Sequence, residues 1–205
     1  TIGLRAAAPA LAAECLDSAG GFNQWKQEFA QEAVRAGISQ GTVQSALMPT
    51  SYSNQVIKLD RNQHSMNISL EAFMQRRAPA SFVKKGKRII QQNAGLLNSI
   101  EKSYGVQKEI IVAIWGMETG FGANSGSMNI FSSLATLAYD CRRSAFFTEE
   151  LLAALAIVDR GDMKPSQMKG AWAGEIGQTQ FLAKNYLRFA GDGEAQVVLG
   201  EELGL

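Results

Sequence analysis

The chain has 205 residues, 46% of them hydrophobic and 19% charged, with a formal net charge of +1. That is enough apolar mass for one large core or two small ones, and the balance excludes a protein whose bulk charge drives it to nucleic acid or an acidic membrane surface. No uninterrupted apolar run approaches the roughly 20 residues that span a bilayer.

At the N-terminus, AAAPALAAEC places small residues around Ala10 to Ala13 in the spacing of a signal-peptidase site. It reads as the end of an export signal or as an alanine-rich tail, and residues 1–20 are expected to be a flexible segment. Glu14 stands where a lipidation site at Cys15 needs a small residue. Apolar residues then recur at helical rather than alternating spacing, so the fold class is mainly α. Phe22, Trp25 and Phe29 share one helical stripe that Gly37 can end; Ser39 caps a short helix stopped by Pro49, and a polar–apolar segment runs to about Arg77.

The next stretch, QRRAPASFVKKGKR, carries Arg76, Arg77, Lys84, Lys85, Lys87 and Arg88. It lacks the interleaved aromatics of a single-strand binder, so no nucleic-acid partner is expected; a solvated face is the simpler reading, with contact to an anionic polymer left open. This region is also the expected junction between a helical subdomain over 21–80 and a catalytic unit over 81–205. Ile89, Leu96, Leu97, Ile100 and Tyr104 mark the buried side of a helix ended by Gly105, and EIIVAIWGME begins another. Phe131, Leu134 and Ala138 mark a further helix, and the segment Ser144 to Arg160 reads as a core helix with Gly161 just past its end.

Glu118 ends an oily run at IWGMETGFGAN and is the only acid or base between Glu109 and Asp140. It lies three, four and seven residues after Trp115, Ile114 and Ile111, on their side of a helix, so its carboxyl is expected to lean on apolar surface. Such a setting favours the protonated form that general-acid chemistry on a glycosidic oxygen requires. Gly120 and Gly122 let backbone and substrate approach closely. Spacing alone leaves open that Glu118 only solvates a helix end. His64 has no metal-ligand cluster beside it and reads as a structural residue, so neither cofactor nor metal is expected.

IWGMETGFGAN, SLATLAYDCRRSAFF and KGAWAGEIGQTQF, with DRNQH upstream, together resemble the ordered signatures of the lytic murein transglycosylase B family over residues 22 to 190. The resemblance implies a lysozyme-like helical fold and periplasmic cleavage of peptidoglycan glycan strands between N-acetylmuramic acid and N-acetylglucosamine, leaving 1,6-anhydromuramoyl ends. Glu118 would be the catalytic residue, acid and then base. Arg142, Arg143, Gln180 and Phe181 would bind substrate. Trp172 reads as packing. A hydrolytic muramidase would instead need a second carboxylate such as Glu175 or Asp140, and a non-catalytic peptidoglycan-binding protein would keep the groove without turnover.

Ala171 and Ala183-Lys184 depart from the family pattern, and Asp192 and Glu194 fall short of the oxygen set that calcium needs. A monomer without a transmembrane segment is expected. In an exported chain with two cysteines, a Cys15–Cys141 disulfide is the natural expectation.

Overall fold

A computed structural model describes residues 13–16, 18–63 and 68–190. Ala10, His64, Asp192 and Glu194 lie outside the described residues. The chain is a helical assembly with one two-stranded ribbon: α1 (Phe22–Arg35), α2 (Gln40–Thr42, continuing into a π turn at Val43–Leu47), α3 (Asn54–Arg61), α4 (Leu70–Arg77), α5 (Ala80–Gln92), α6 (Ala94–Tyr104), α7 (Lys108–Thr119), β1 (Met128–Asn129), α8 (Ile130–Tyr139), α9 (Ser144–Asp159), β2 (Lys169–Gly170) and α10 (Ala183–Phe189).

The larger core forms around α8, which is mostly apolar and buried on nearly every side, as expected of a central helix. On it pack α1 through Phe22, Trp25, Phe29 and Ala33, α3 through Val56, and α9 through Leu151, Ala154 and Leu155. The aromatic stripe of α1 meets Tyr139 edge-on, with the rings of Phe22 and Tyr139 5.5 Å apart, and Trp25 stacks on Phe29 at 5.1 Å. Ser39 caps α2 as its residue type predicts, accepting from Thr42 N at 3.2 Å. Asp159, at the end of α9, accepts from Thr42 Oγ1 at 2.7 Å and from the Ser39 hydroxyl. Those hydroxyl bonds, Ser39's first, hold the Asp159 carboxyl below its ordinary value.

A second, smaller core joins Phe82, Ile89 and Ile90 of α5, Leu97 and Ile100 of α6, and Val112 and Trp115 of α7 with Phe121. The boundary expected at residue 80 is therefore not where the cores divide. Residues 22–56 share their core with 130–183, and the separate cluster is an insertion over 82–121. One expected helix is also two: the chain breaks at Asn93 (φ −114°), whose side-chain amide donates to Ile89 O at 3.0 Å. Tyr104, expected on the buried side, is 50% exposed.

One covalent and two polar ties fasten the N-terminal strap. Cys15 and Cys141 form a disulfide across 126 positions; Leu16 N donates to Tyr139 O at 3.0 Å, and the Tyr139 hydroxyl donates to Ser18 O at 2.6 Å.

Candidate active site

Helix α7 ends in three consecutive left-handed residues, Gly120 (φ 65°), Phe121 (φ 62°) and Gly122 (φ 82°). For the glycines this is cheap, whereas Phe121 carries a cost of order 1–3 kcal/mol that only surrounding structure sustains. The sustaining contacts are its buried ring, 4.7 Å from that of Phe82 and edge-on to Trp115 at 5.9 Å. The turn reverses the chain directly after Glu118 and sends it to the ribbon at 128–129.

Gln178 clasps this helix end. Its Oε1 accepts from Trp115 Nε1 at 2.7 Å, and its backbone oxygen accepts from Thr119 Oγ1 at 2.7 Å. The Thr119 hydroxyl in turn accepts from Gly122 N at 3.0 Å. A Cβ on Gly122 would stand 2.3 Å from Gln178 Oε1, so this second glycine of the turn is needed for close approach as well as for its φ. Trp115 and Thr119, three residues before and one after Glu118, are thereby bonded through their side chains to the 170–182 segment, itself folded back by bridges between Gly170, Ile176 and Phe181. Glu118 is held at its backbone from two sides.

The carboxyl itself is a different matter. Glu118 is exposed and has no hydrogen-bond or ion-pair partner among the described residues, so the apolar burial expected of it is not found. The reason is geometric. Helix α7 buries Val112, Trp115, Gly116 and Thr119, and Glu118 sits past the edge of that face with Ile114 (50% exposed) and Met117 (40%). Because apolar residues run almost all round the helix, spacing did not reveal its inner side.

Gln180 and Phe181 lie on the same clasping segment. Gln180 takes a left-handed φ of 52°, and its amide NH2 donates to Gly177 O at 2.8 Å and Ser125 O at 3.2 Å. Phe181 exchanges both backbone hydrogen bonds with Ile176 and leaves its ring 40% exposed. Trp172 is partly buried against the larger core. Helix α10 is moored to α9 at Lys184, whose backbone N donates to Glu150 Oε2 at 3.0 Å and whose ammonium pairs with Glu149.

Arg142 and Arg143 belong to a second constellation, at the start of α9. The buried Asp60 receives Arg142 Nε at 2.9 Å and Nη2 at 3.0 Å, Arg61 Nη1 at 2.8 Å, and the Arg143 guanidinium. Asp140, also buried, accepts from Arg61 Nη2 at 2.7 and 2.9 Å and from Arg142 N at 3.0 Å. The Asp140 hydrogen bond, first among several causes, raises Arg61 above its ordinary value. Each arginine keeps about two-fifths of its side chain in water. Beside the pair opens a cleft of ≈ 940 Å³ whose lining includes Cys15, Trp25, Phe29 and Phe146. No hydrogen bond or ion pair among the described residues links this cluster to α7.

Sequence reasoning missed Gln178, Asp60 and Arg61 as organising residues, although the quoted motifs contain all three. Asp140 is bound up in the arginine cluster and is not free to serve as a second catalytic carboxylate. Glu175 keeps one buried oxygen, Oε2, without a hydrogen-bond partner. No group of three or more His, Cys, Asp or Glu capable of holding a metal exists among the described residues.

A family model described as Transglycosylase SLT domain matches residues 21–197. Membrane-bound lytic murein transglycosylase B of Escherichia coli K12 is 36% identical over 111 residues, 54% of this chain and 31% of that protein. SltB3 of Pseudomonas aeruginosa, solved with NAG-NAM-pentapeptide, superposes with a TM-score of 0.80 at 35% identity, covering 85% of this chain and 47% of that one. The same enzyme with NAG-anhNAM-pentapeptide matches at 36% identity, TM-score 0.80, with the same coverage. The chain thus spans about a third to a half of the length of these relatives.

Proposed function

Since the chain belongs to the transglycosylase SLT domain family, we propose that it is a lytic transglycosylase that cuts peptidoglycan glycan strands between N-acetylmuramic acid and N-acetylglucosamine, with Glu118 as the one acid and base. The observation that carries this reading is the free carboxyl of Glu118, held by its backbone at a helix end clasped to the 170–182 segment.

The chemistry needs only one such group. As the bond from the muramoyl C1 to the bridging oxygen breaks, the Glu118 carboxylic acid gives its proton to that oxygen, which leaves as the 4-hydroxyl of N-acetylglucosamine. The carboxylate then takes the proton of the muramoyl 6-hydroxyl while that oxygen bonds to C1. The product end is a 1,6-anhydro sugar, no water is consumed, and Glu118 returns to its acid form. An exposed acid gains the required exclusion of water from the strand lying over it. The methyl-rich surface of Ile114 and Met117 flanks the acid, and Phe181 offers an exposed ring on the clasping segment.

With its NH2 engaged, Gln180 would accept a sugar hydroxyl or acetamido N–H through its carbonyl oxygen. Arg142 and Arg143 would meet substrate only through the donors that Asp60 leaves free. The disulfide supports an oxidising compartment such as the periplasm, and no helix among the described residues is long and apolar enough to cross a membrane.

A hydrolytic reading needs a second carboxylate, and Glu175, with its unpartnered Oε2, is the residue it would use. Mass spectrometry of fragments released from purified peptidoglycan separates the two, since hydrolysis adds water and the intramolecular reaction does not. The Glu118→Gln variant should release no anhydromuropeptides while keeping its fold and its binding to peptidoglycan; comparable release by this variant would remove Glu118 from the mechanism.

A further inference from the structure

The basic stretch after α3 takes no part in the reading above. Between residues 68 and 92 stand Arg76, Arg77, Lys84, Lys85, Lys87 and Arg88 against one acid, Glu71, in a chain whose formal net charge is only +1. No residue of α4 or α5 is buried, and all six cations are exposed. Helix α5 turns Phe82, Gly86, Ile89 and Ile90 inward, toward α7 and the small core. Lys84 and Arg88, one turn apart, therefore stack on its outer side with Lys87 beside them. No carboxylate among the described residues pairs with any of the six.

Position gives this face a meaning. Lys85 stands at its edge, where its ammonium donates to Gly120 O at 3.3 Å and lies 5.0 Å from the centre of the Phe121 ring. It thus caps the C-terminal end of the helix that carries Glu118, where the helix dipole favours a cation. The uncompensated charge runs from the reacting end of α7 outward along α5. A face of unpaired like charges repels itself, and a polyanion laid along it relieves that repulsion.

We propose that the outer face of α5 docks the carboxylates of the peptide stems carried by peptidoglycan. The proposal rests on reading the Glu118 site as one that cuts the glycan strand. In that polymer the sugar backbone is uncharged, because the muramoyl lactyl group is bound up in an amide, and the negative charge sits on the stems. A strand whose scissile bond lies at Glu118 carries stems past the adjacent α5. Repeated stems engage several cations at once, so weak single contacts add into retention of the strand.

The test measures the affinity of the full chain carrying Glu118→Gln, which holds strands uncut, with and without the added triple change Lys84→Gln, Lys87→Gln, Arg88→Gln. The probes are soluble glycan strands bearing stems, the same strands with their stem carboxylates converted to neutral amides, and vesicles containing phosphatidylglycerol. We expect the triple change to weaken binding of stem-bearing strands about tenfold at low salt, each exposed pair contributing a modest factor. The difference should disappear at about 0.5 M salt, where screening is nearly complete, and amidated strands should bind both proteins equally.

Equal weakening on amidated and unmodified strands, or no weakening, overturns the proposal, as does vesicle binding that the triple change abolishes as strongly as stem binding. If the triple variant does not keep the parent's melting temperature, the single changes Lys84→Gln and Lys87→Gln decide by the same criteria. Release of anhydro ends from amidated strands by the unmodified chain reports on the glycan-cutting reading separately, so the two fail independently.

Discussion

Replacing Asp60 by Asn tests whether the cluster at the start of α9 is structural. The Asp60 side chain is 2% exposed, and its two oxygens meet the guanidinium groups of Arg61, Arg142 and Arg143. Asn keeps one acceptor, loses the charge and turns an NH2 toward cations that only Asp140 would still balance. Removing one partner of a fully buried pair costs about 3–5 kcal/mol. Here the arginines are 38–41% exposed, so solvent screens what is left behind and about 2–3 kcal/mol is expected. For a chain of this size that corresponds to a drop of roughly 4–12 °C in thermal midpoint. Arg142→Ala leaves Asp60 two partners and should cost about 1 kcal/mol or less. Thermal denaturation of both variants beside the parent is sufficient. An Asp60→Asn protein that melts within about 1 °C of the parent would refute the structural role and return both arginines to the substrate.

Gln178→Ala leaves the Trp115 indole N–H without its acceptor, a loss of about 1–3 kcal/mol; by loosening the backbone around Glu118 it should lower kcat at least about tenfold with KM little changed. Full activity would show that the clasp does not position the acid. Reducing the Cys15–Cys141 bond, which closes a loop of 126 positions, should cost up to about 5 kcal/mol in the chain-entropy account, and mass spectrometry of unreduced, alkylated protein should find no free thiol. Asp159→Asn should lower the melting temperature at neutral pH. Because the folded-state carboxyl lies below its ordinary 3.8, its contribution is present above that value and is lost as pH falls through the depressed folded value, so variant and parent should converge there. A difference that persists unchanged in strong acid would place the effect elsewhere.

The helical class and most helix positions were legible because the determinants are local. The Phe22, Trp25, Phe29 stripe, the Ser39 cap and the glycines at 37, 105 and 161, all with positive φ, act within a few residues of themselves. What was not legible depends on partners distant in sequence. Residues 21–80 read as a separate helical subdomain, but Phe22 and Trp25 find their contacts on Tyr139. Lys26 sits on α1 like any surface lysine, yet it is 7% exposed, with its ammonium donating to Met48 O and Thr50 O; burial lowers it below its ordinary value. No pattern within α1 distinguishes it from Gln24 or Glu28.

The candidate site shows the same division one level up. Motif resemblance reached Glu118, Gln180 and Phe181, and these lie on two segments that the structure bonds together. It could not separate Gln178 from Gln180. Two amides two positions apart in GEIGQTQF differ only in where the backbone turns them, and that turn is set by the left-handed residues Gly177 and Gln180. Gln178 faces inward to Trp115, where it fixes geometry and is itself fixed. On the proposed reading, the acid on the facing helix end needs the opposite combination: a carboxyl left free to trade protons, on a backbone that cannot drift. A buried glutamate would satisfy the second demand at the expense of the first, since a desolvated group acquires partners of its own. Holding Thr119 and Gly122 on either side of the turn, and leaving the Glu118 side chain outside, meets both. On the proposed reading, a strand lying over Glu118 would then supply the exclusion of water.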